Sequence, residues 1–147
     1  MKYSKTVIER FLEKQDLGMM MHVKEDQNKE YEGASFLAKG VTYRSRLAKQ
    51  TPKKKGAFVA FWEKTQAGNN QAFLAEESPE YLLVAVQEQE RRGVFCFPQS
   101  VLIEKKIYRT TNQKGKMAMR VYPSWATELN STALKTQQWQ TSYFYEC

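Results

Sequence analysis

One histidine and two cysteines are all the imidazole and thiol groups this 147-residue chain contains. Cys96 and Cys147 lie far apart, and His22 is distant from both. A zinc site needs such residues clustered, so none is expected. Catalysis by a histidine-assisted nucleophile would rest on His22 alone. Glycine-rich phosphate loops and dinucleotide fingerprints are absent from the sequence. No apolar run approaches the roughly 20 residues of a membrane span, and residues 1–14 are broken by charges every few positions, unlike a signal peptide. The expectation is a soluble, cytosolic protein without a membrane partner. Cys96 sits in the apolar run 94–97, where a reduced thiol is the expected state in that compartment. Internal repeats, low-complexity stretches and linkers are also missing, and the length fits a single domain spanning 1–147.

What is present is charge of one sign in one place. Residues 39–64 hold eight basic residues against the single acid Glu63. The other segments together cancel, so this stretch equals the net charge of +7. Residues 65–104 carry two bases and six acids, and residues 105–147 carry seven bases and two acids. Two basic segments flank an acidic one. If they meet in space they form one positive face, the electrostatic footprint of a polyanion partner such as nucleic acid.

Apolar content of 41% and aromatic content of 13% fit a packed core, with roughly two-thirds of the unfolded surface buried at this length. Val7, Ile8, Phe11 and Leu12 recur at helical spacing. The adjacent Met19, Met20 and Met21 read as core filler. Residues 34–38 and 41–47 read as strands joined by a Lys39-Gly40 hairpin turn, with Thr42, Arg44 and Arg46 facing away from Tyr43, Ser45 and Leu47. Further strands are predicted at 57–62, 81–86, 94–97 and 117–122. Residues 101–103 open a helix or a short strand, 132–139 form a late helix, and 143–145 a final aromatic segment. Strands interleaved with helices give an α/β domain with a mixed sheet flanked by helices.

Three constellations point to anion binding. In the loop at 51–56, Thr51 and Gly56 bring backbone amides near a phosphate, and Lys53, Lys54 and Lys55 supply charge. Arg46 and Lys49 precede it, and an arginine grips phosphate in a bidentate way that lysine does not. The second runs from Lys116 through Arg120 to Trp125. The third holds Lys135, Gln137, Trp139 and Gln140. Exposed aromatics stack on unpaired bases, and amide side chains offer paired donors and acceptors. At least one of Trp125 and Trp139 is expected to be buried. A metal-dependent nuclease would want paired acids and a lysine on adjacent strands. Glu32 and Glu80 are the candidates, with Mg2+ as the ion that only this alternative requires. The segment at 94–97 supplies neither acid nor lysine.

Ordered motifs run along the chain from Glu30-Tyr31-Glu32-Gly33, through Arg46, Ala48-Lys49, Thr51-Pro52, Lys54, Gly56, Phe58-Val59 and Trp62, to Gly93, Phe95 and Phe97-Pro98. They continue with Gly115-Lys116, Arg120-Val121-Tyr122-Pro123 and Trp125, then Lys135-Thr136-Gln137, Trp139-Gln140 and Tyr143-Phe144. In these the chain resembles the MepB-like family of small bacterial proteins. The family takes its name from an operon that also encodes a multidrug efflux pump and its repressor. The resemblance implies a restriction-endonuclease-like core and a link to nucleic acid. The family tends to have aspartates before the strand at Tyr81, whereas this chain has Glu77, Ser78 and Glu80. The expectation is a nucleic-acid-binding protein, DNA before RNA, without cleavage activity and without a cofactor. The alternatives are a metal-dependent nuclease, and an accessory module linked to multidrug resistance that binds a small anion or a protein.

Overall fold

The helical stripe near the N-terminus folds as α1, Lys2–Lys14, with Val7, Ile8, Phe11 and Leu12 all buried. A helix of 13 residues is marginal alone in water, and burying this stripe against a sheet is what stabilises it. The computed structural model describes residues 2–15, 17, 19–24 and 28–147, and for 2–3 and 19–24 the backbone alone. The side chains of Met19, Met20, Met21 and His22 therefore lie outside the described residues.

After α1 come β1 (Met19–Lys24), β2 (Ala34–Ala38), β3 (Val41–Leu47), β4 (Lys49–Gln50), β5 (Ala57–Ala60), β6 (Glu63–Lys64) and β7 (Asn70–Gln71). Then follow β8 (Tyr81–Glu88), β9 (Arg91–Pro98), α2 (Gln99–Glu104), β10 (Ala118–Val121), α3 (Ser131–Gln140) and β11 (Phe144–Glu146). A six-stranded sheet has the order β1-β2-β3-β8-β9-β11. Its β3–β8 pair is parallel and its other pairs are antiparallel. A smaller antiparallel sheet has the order β10-β5-β4, and β6 pairs with β7. The β2–β3 hairpin turns on Lys39 and Gly40, both at positive φ (46° and 77°), the backbone that a two-residue turn between twisted strands requires.

The large sheet is covered on both faces. Leu83, Ala85 and Val94 pack with the α1 stripe, while Leu82, Val84, Val86, Phe95 and Phe97 face a second core with Phe61, Leu102, Tyr108 and Val121. Burial on both sides explains why β8 reads as an unbroken apolar run. The second layer holds the small sheet, α2 and α3. The strand expected at 57–62 stops at Ala60, and residues 101–103 lie inside α2. Cys96 and Cys147 are both free thiols. Among the described residues no helix is long and apolar enough to cross a membrane. Mixed sheet and flanking helices form one compact domain.

Candidate functional site

The basic loop, residues 51–56, is held open by its own chemistry. Pro52 lacks the donor that would continue β4, and Lys53, Lys54 and Lys55 are exposed. Gly56 returns the chain to β5 at φ 77°, and a Cβ there would meet the Tyr122 ring at 2.6 Å and the Val121 carbonyl oxygen at 2.9 Å. Arg120 fastens the loop from β10. Its Nη2 donates to Thr51 Oγ1 at 2.8 Å and its Nη1 to the Lys55 carbonyl at 3.1 Å. Lys49 and Arg120 both pair with Phe58 in the ladder, so they flank it on one face of the small sheet, about 10 Å apart at two strand spacings.

Helix α3 lies along β10. Asn130 caps it, its Oδ1 accepting from Ala133 N at 2.8 Å. Gln140 is fully buried at the other end, where its Oε1 accepts from Tyr122 N (2.9 Å) and its Nε2 donates to the Arg120 carbonyl (3.0 Å). Gln137 Nε2 donates to the carbonyls of Pro123 (2.9 Å) and Ala126 (3.0 Å). Both amides are committed to the main chain, and neither is presented to a base edge as the sequence reading expected.

Between β10 and α3 runs a furrow of two clefts, each about 420 Å³, that meet at Arg120 and Tyr122. One is lined by Lys105, Lys116 and Trp139 besides those two; the other by Lys53, Lys54, Lys55, Glu128 and Thr132. A more open depression beyond α3 adds Lys135 and shares Lys105 and Trp139. Glu128 is the one acid among these lining residues, with its carboxylate 3.8 Å from Lys55 Nζ. The two basic segments of the sequence thus meet. Lys105 escaped the sequence reading, whose sole signal for it was the basic bias of residues 105–147.

Other expected residues lie elsewhere. Arg46 is fully buried, its Nη2 donating to Asn28 Oδ1 and its Nη1 to the Ser45 carbonyl, both at 2.9 Å. It faces the second core layer and so does not grip a phosphate from solvent. Its Asn28 partner also receives Trp62 N at 3.1 Å, which ties the β5–β6 connection to β3. Trp125 and Trp139 are both half-buried. Trp125 donates to Glu88 Oε2 at 2.7 Å and packs edge-on against Phe144. Trp139 packs on Phe97 with ring centroids 5.6 Å apart.

The acids of the nuclease alternative are not brought together. Glu80 exchanges hydrogen bonds with Thr42: its carboxylate Oε2 accepts from Thr42 N at 3.0 Å and its main-chain N donates to Thr42 Oγ1 at 3.1 Å. Glu32 precedes Ala34, which pairs with Ser45, and Glu80 bonds Thr42, so the two acids are anchored toward opposite ends of β3, with Thr42 and Ser45 about 10 Å apart along the strand at ~3.3 Å per residue. Glu32 accepts from Ser4 N (3.0 Å) and Ser4 Oγ (2.6 Å). Burial pushes its carboxyl up and those bonds pull it down, and the net position is below the ordinary carboxylate range. Among the described residues no three His, Cys, Asp or Glu side chains cluster as metal ligands.

A family model described as MepB-like matches residues 25–146. The crystal structure of MepB is 41% identical with a TM-score of 0.87, over 99% of this chain and 97% of that one. The structure of a bacterial homing endonuclease, I-Ssp6803I, is 11% identical with a TM-score of 0.51, over 95% of this chain and 88% of that one. That likeness is one of fold alone, and the fold is restriction-endonuclease-like. No curated protein matches the chain.

Proposed function

This chain belongs to the MepB-like family, and from that premise we propose that it binds nucleic acid, DNA before RNA, along the furrow between β10 and α3 without cleaving it. One observation carries the reading. Lysines and an arginine from three separated stretches, 53–55, 105 and 116–120, line the furrow with Glu128 the single acid among its lining residues, and Lys135 lines the depression beside it. Like charges gathered this closely repel one another unless an anion joins them, and a phosphate backbone does so while releasing its own counterions. Lys53, Lys54, Lys55, Lys105, Lys116 and Arg120 neutralise phosphates. Arg120 also positions the loop. Lys49 extends the same surface across Phe58.

The separation of Glu32 from Glu80 favours binding without hydrolysis. The proposal includes a cytosolic location, which the two free thiols favour. Replacing Lys53, Lys54 and Lys55 together with glutamine removes three phosphate contacts from an exposed loop. The expected result is an unchanged circular dichroism spectrum and an affinity about a hundredfold lower at 0.15 M salt, measured by fluorescence anisotropy. Unaltered affinity moves the interface elsewhere. Strands shortened in the presence of Mg2+, and spared by Glu80→Ala, would reinstate the nuclease. Stabilisation by a compact phosphorylated ligand or by a protein, with no polynucleotide bound, would favour the accessory-module reading.

A further inference from the structure

Resting on the nucleic-acid reading, we infer that the furrow takes a single strand, with an unpaired base stacked on the Trp139 ring and the backbone crossing the waist at Arg120 and Tyr122. The first argument is shape. Many proteins that read a duplex by its base edges push a helix or a two-stranded ribbon into its major groove. Here the cations line a concave surface, and the helix beside it is ill suited to a groove. The exposed residues of α3 include Leu134, Lys135 and Gln138, with Lys135 its single basic residue. Gln137 and Gln140 are turned inward onto the main chain.

The second argument is the aromatic floor. Trp139 is fixed by Phe97 on one side and lines both the furrow and the outer depression. Lys105 Nζ lies over its ring at 5.3 Å. A cation over a partly solvent-facing ring is held more weakly than a stacked base. An incoming base displaces Lys105 and frees its ammonium for a phosphate of the same strand. Bases inside a duplex are already stacked on their neighbours, so only an unpaired one reaches the ring. With both nearby amides occupied, stacking and charge remain, and these tolerate any sequence.

Oligothymidine of 12 nucleotides and a 12-base-pair duplex, each titrated into the intact chain, test this. The single strand is expected to bind at least tenfold tighter and to quench tryptophan fluorescence. Trp139→Phe keeps a stacking ring and the packing on Phe97, so affinity should stay within about threefold while the quench disappears. Trp139→Leu should lose about tenfold in affinity; if it fails to fold, the Phe variant still decides the matter. Equal affinity for the duplex, or a quench that survives Trp139→Phe, overturns the single-strand inference and leaves nucleic-acid binding standing. Binding to neither form overturns both.

Discussion

A glutamine buried at the end of a helix must find partners for an amide that water no longer reaches, and Gln140 finds them on the outer edge of β10. It bonds Tyr122 N and the Arg120 carbonyl as a neighbouring strand would. Gln140→Ala leaves both main-chain groups unmatched, and stability in urea should fall by about 2–3 kcal/mol. Gln140→Glu should cost about as much, since a carboxylate accepts from Tyr122 but cannot donate to Arg120. Cys96 and Tyr43 set a second expectation. Burial pushes the Cys96 thiol up to about 12; burial, then the neighbouring Cys96, Tyr81 and Glu80, pushes the Tyr43 phenol to about 12. Both groups fold in their neutral forms, so their contribution is fully present below their unfolded values and is lost as pH rises toward 12. Melting temperature should therefore decline from about pH 9 upward, and the decline should be shallower in Cys96→Ala. The sequence identified Arg46 and Gln140 as polar residues inside motifs, and their chemical type suits a ligand contact. What it did not reveal was their burial. Alternation along β3 correctly turned Arg46 away from Tyr43, but that face meets a second core layer rather than solvent.

At the scale of elements, the β2–β3 hairpin was legible because its signals are local: alternating residues on either side of Lys39-Gly40. The strand β8 was legible from its apolar run, and α1 from its spacing. The small sheet was not. Strands of two residues, such as β4, carry no periodicity, and the β10–β5 pairing joins residues some 60 positions apart, Val121 to Ala57 for example. That sheet is what turns the lysine run at 53–55 into part of a surface, and Gly56 lies close against Tyr122 and Val121 where the loop returns to it. Gly56→Ala adds a methyl against the Tyr122 ring and the Val121 carbonyl at a backbone angle that favours glycine. Expected outcomes are a loss of about 2 kcal/mol in chemical denaturation and weaker anion binding, since the loop must move away from β10. If Gly56→Ala keeps full stability, the loop is not braced as described.

The whole molecule divides its charge by region. Acid-rich residues 65–104 and base-rich residues 39–64 and 105–147 are separate in sequence, and the fold brings the two basic regions together at Arg120, Thr51 and Lys55. Convergence of that kind depends on long-range topology, so charge counting alone could raise it only as a condition. The restriction-endonuclease-like core supplies the scaffold, while the furrow arises from how β10 and α3 pack on its outer layer. The central claim is electrostatic, and its most direct measurement is the affinity for single-stranded DNA as salt is raised. If about six phosphates are neutralised, log affinity should fall against log salt with a slope of about −4 to −5. A slope near zero, or no binding at low salt, would contradict the account.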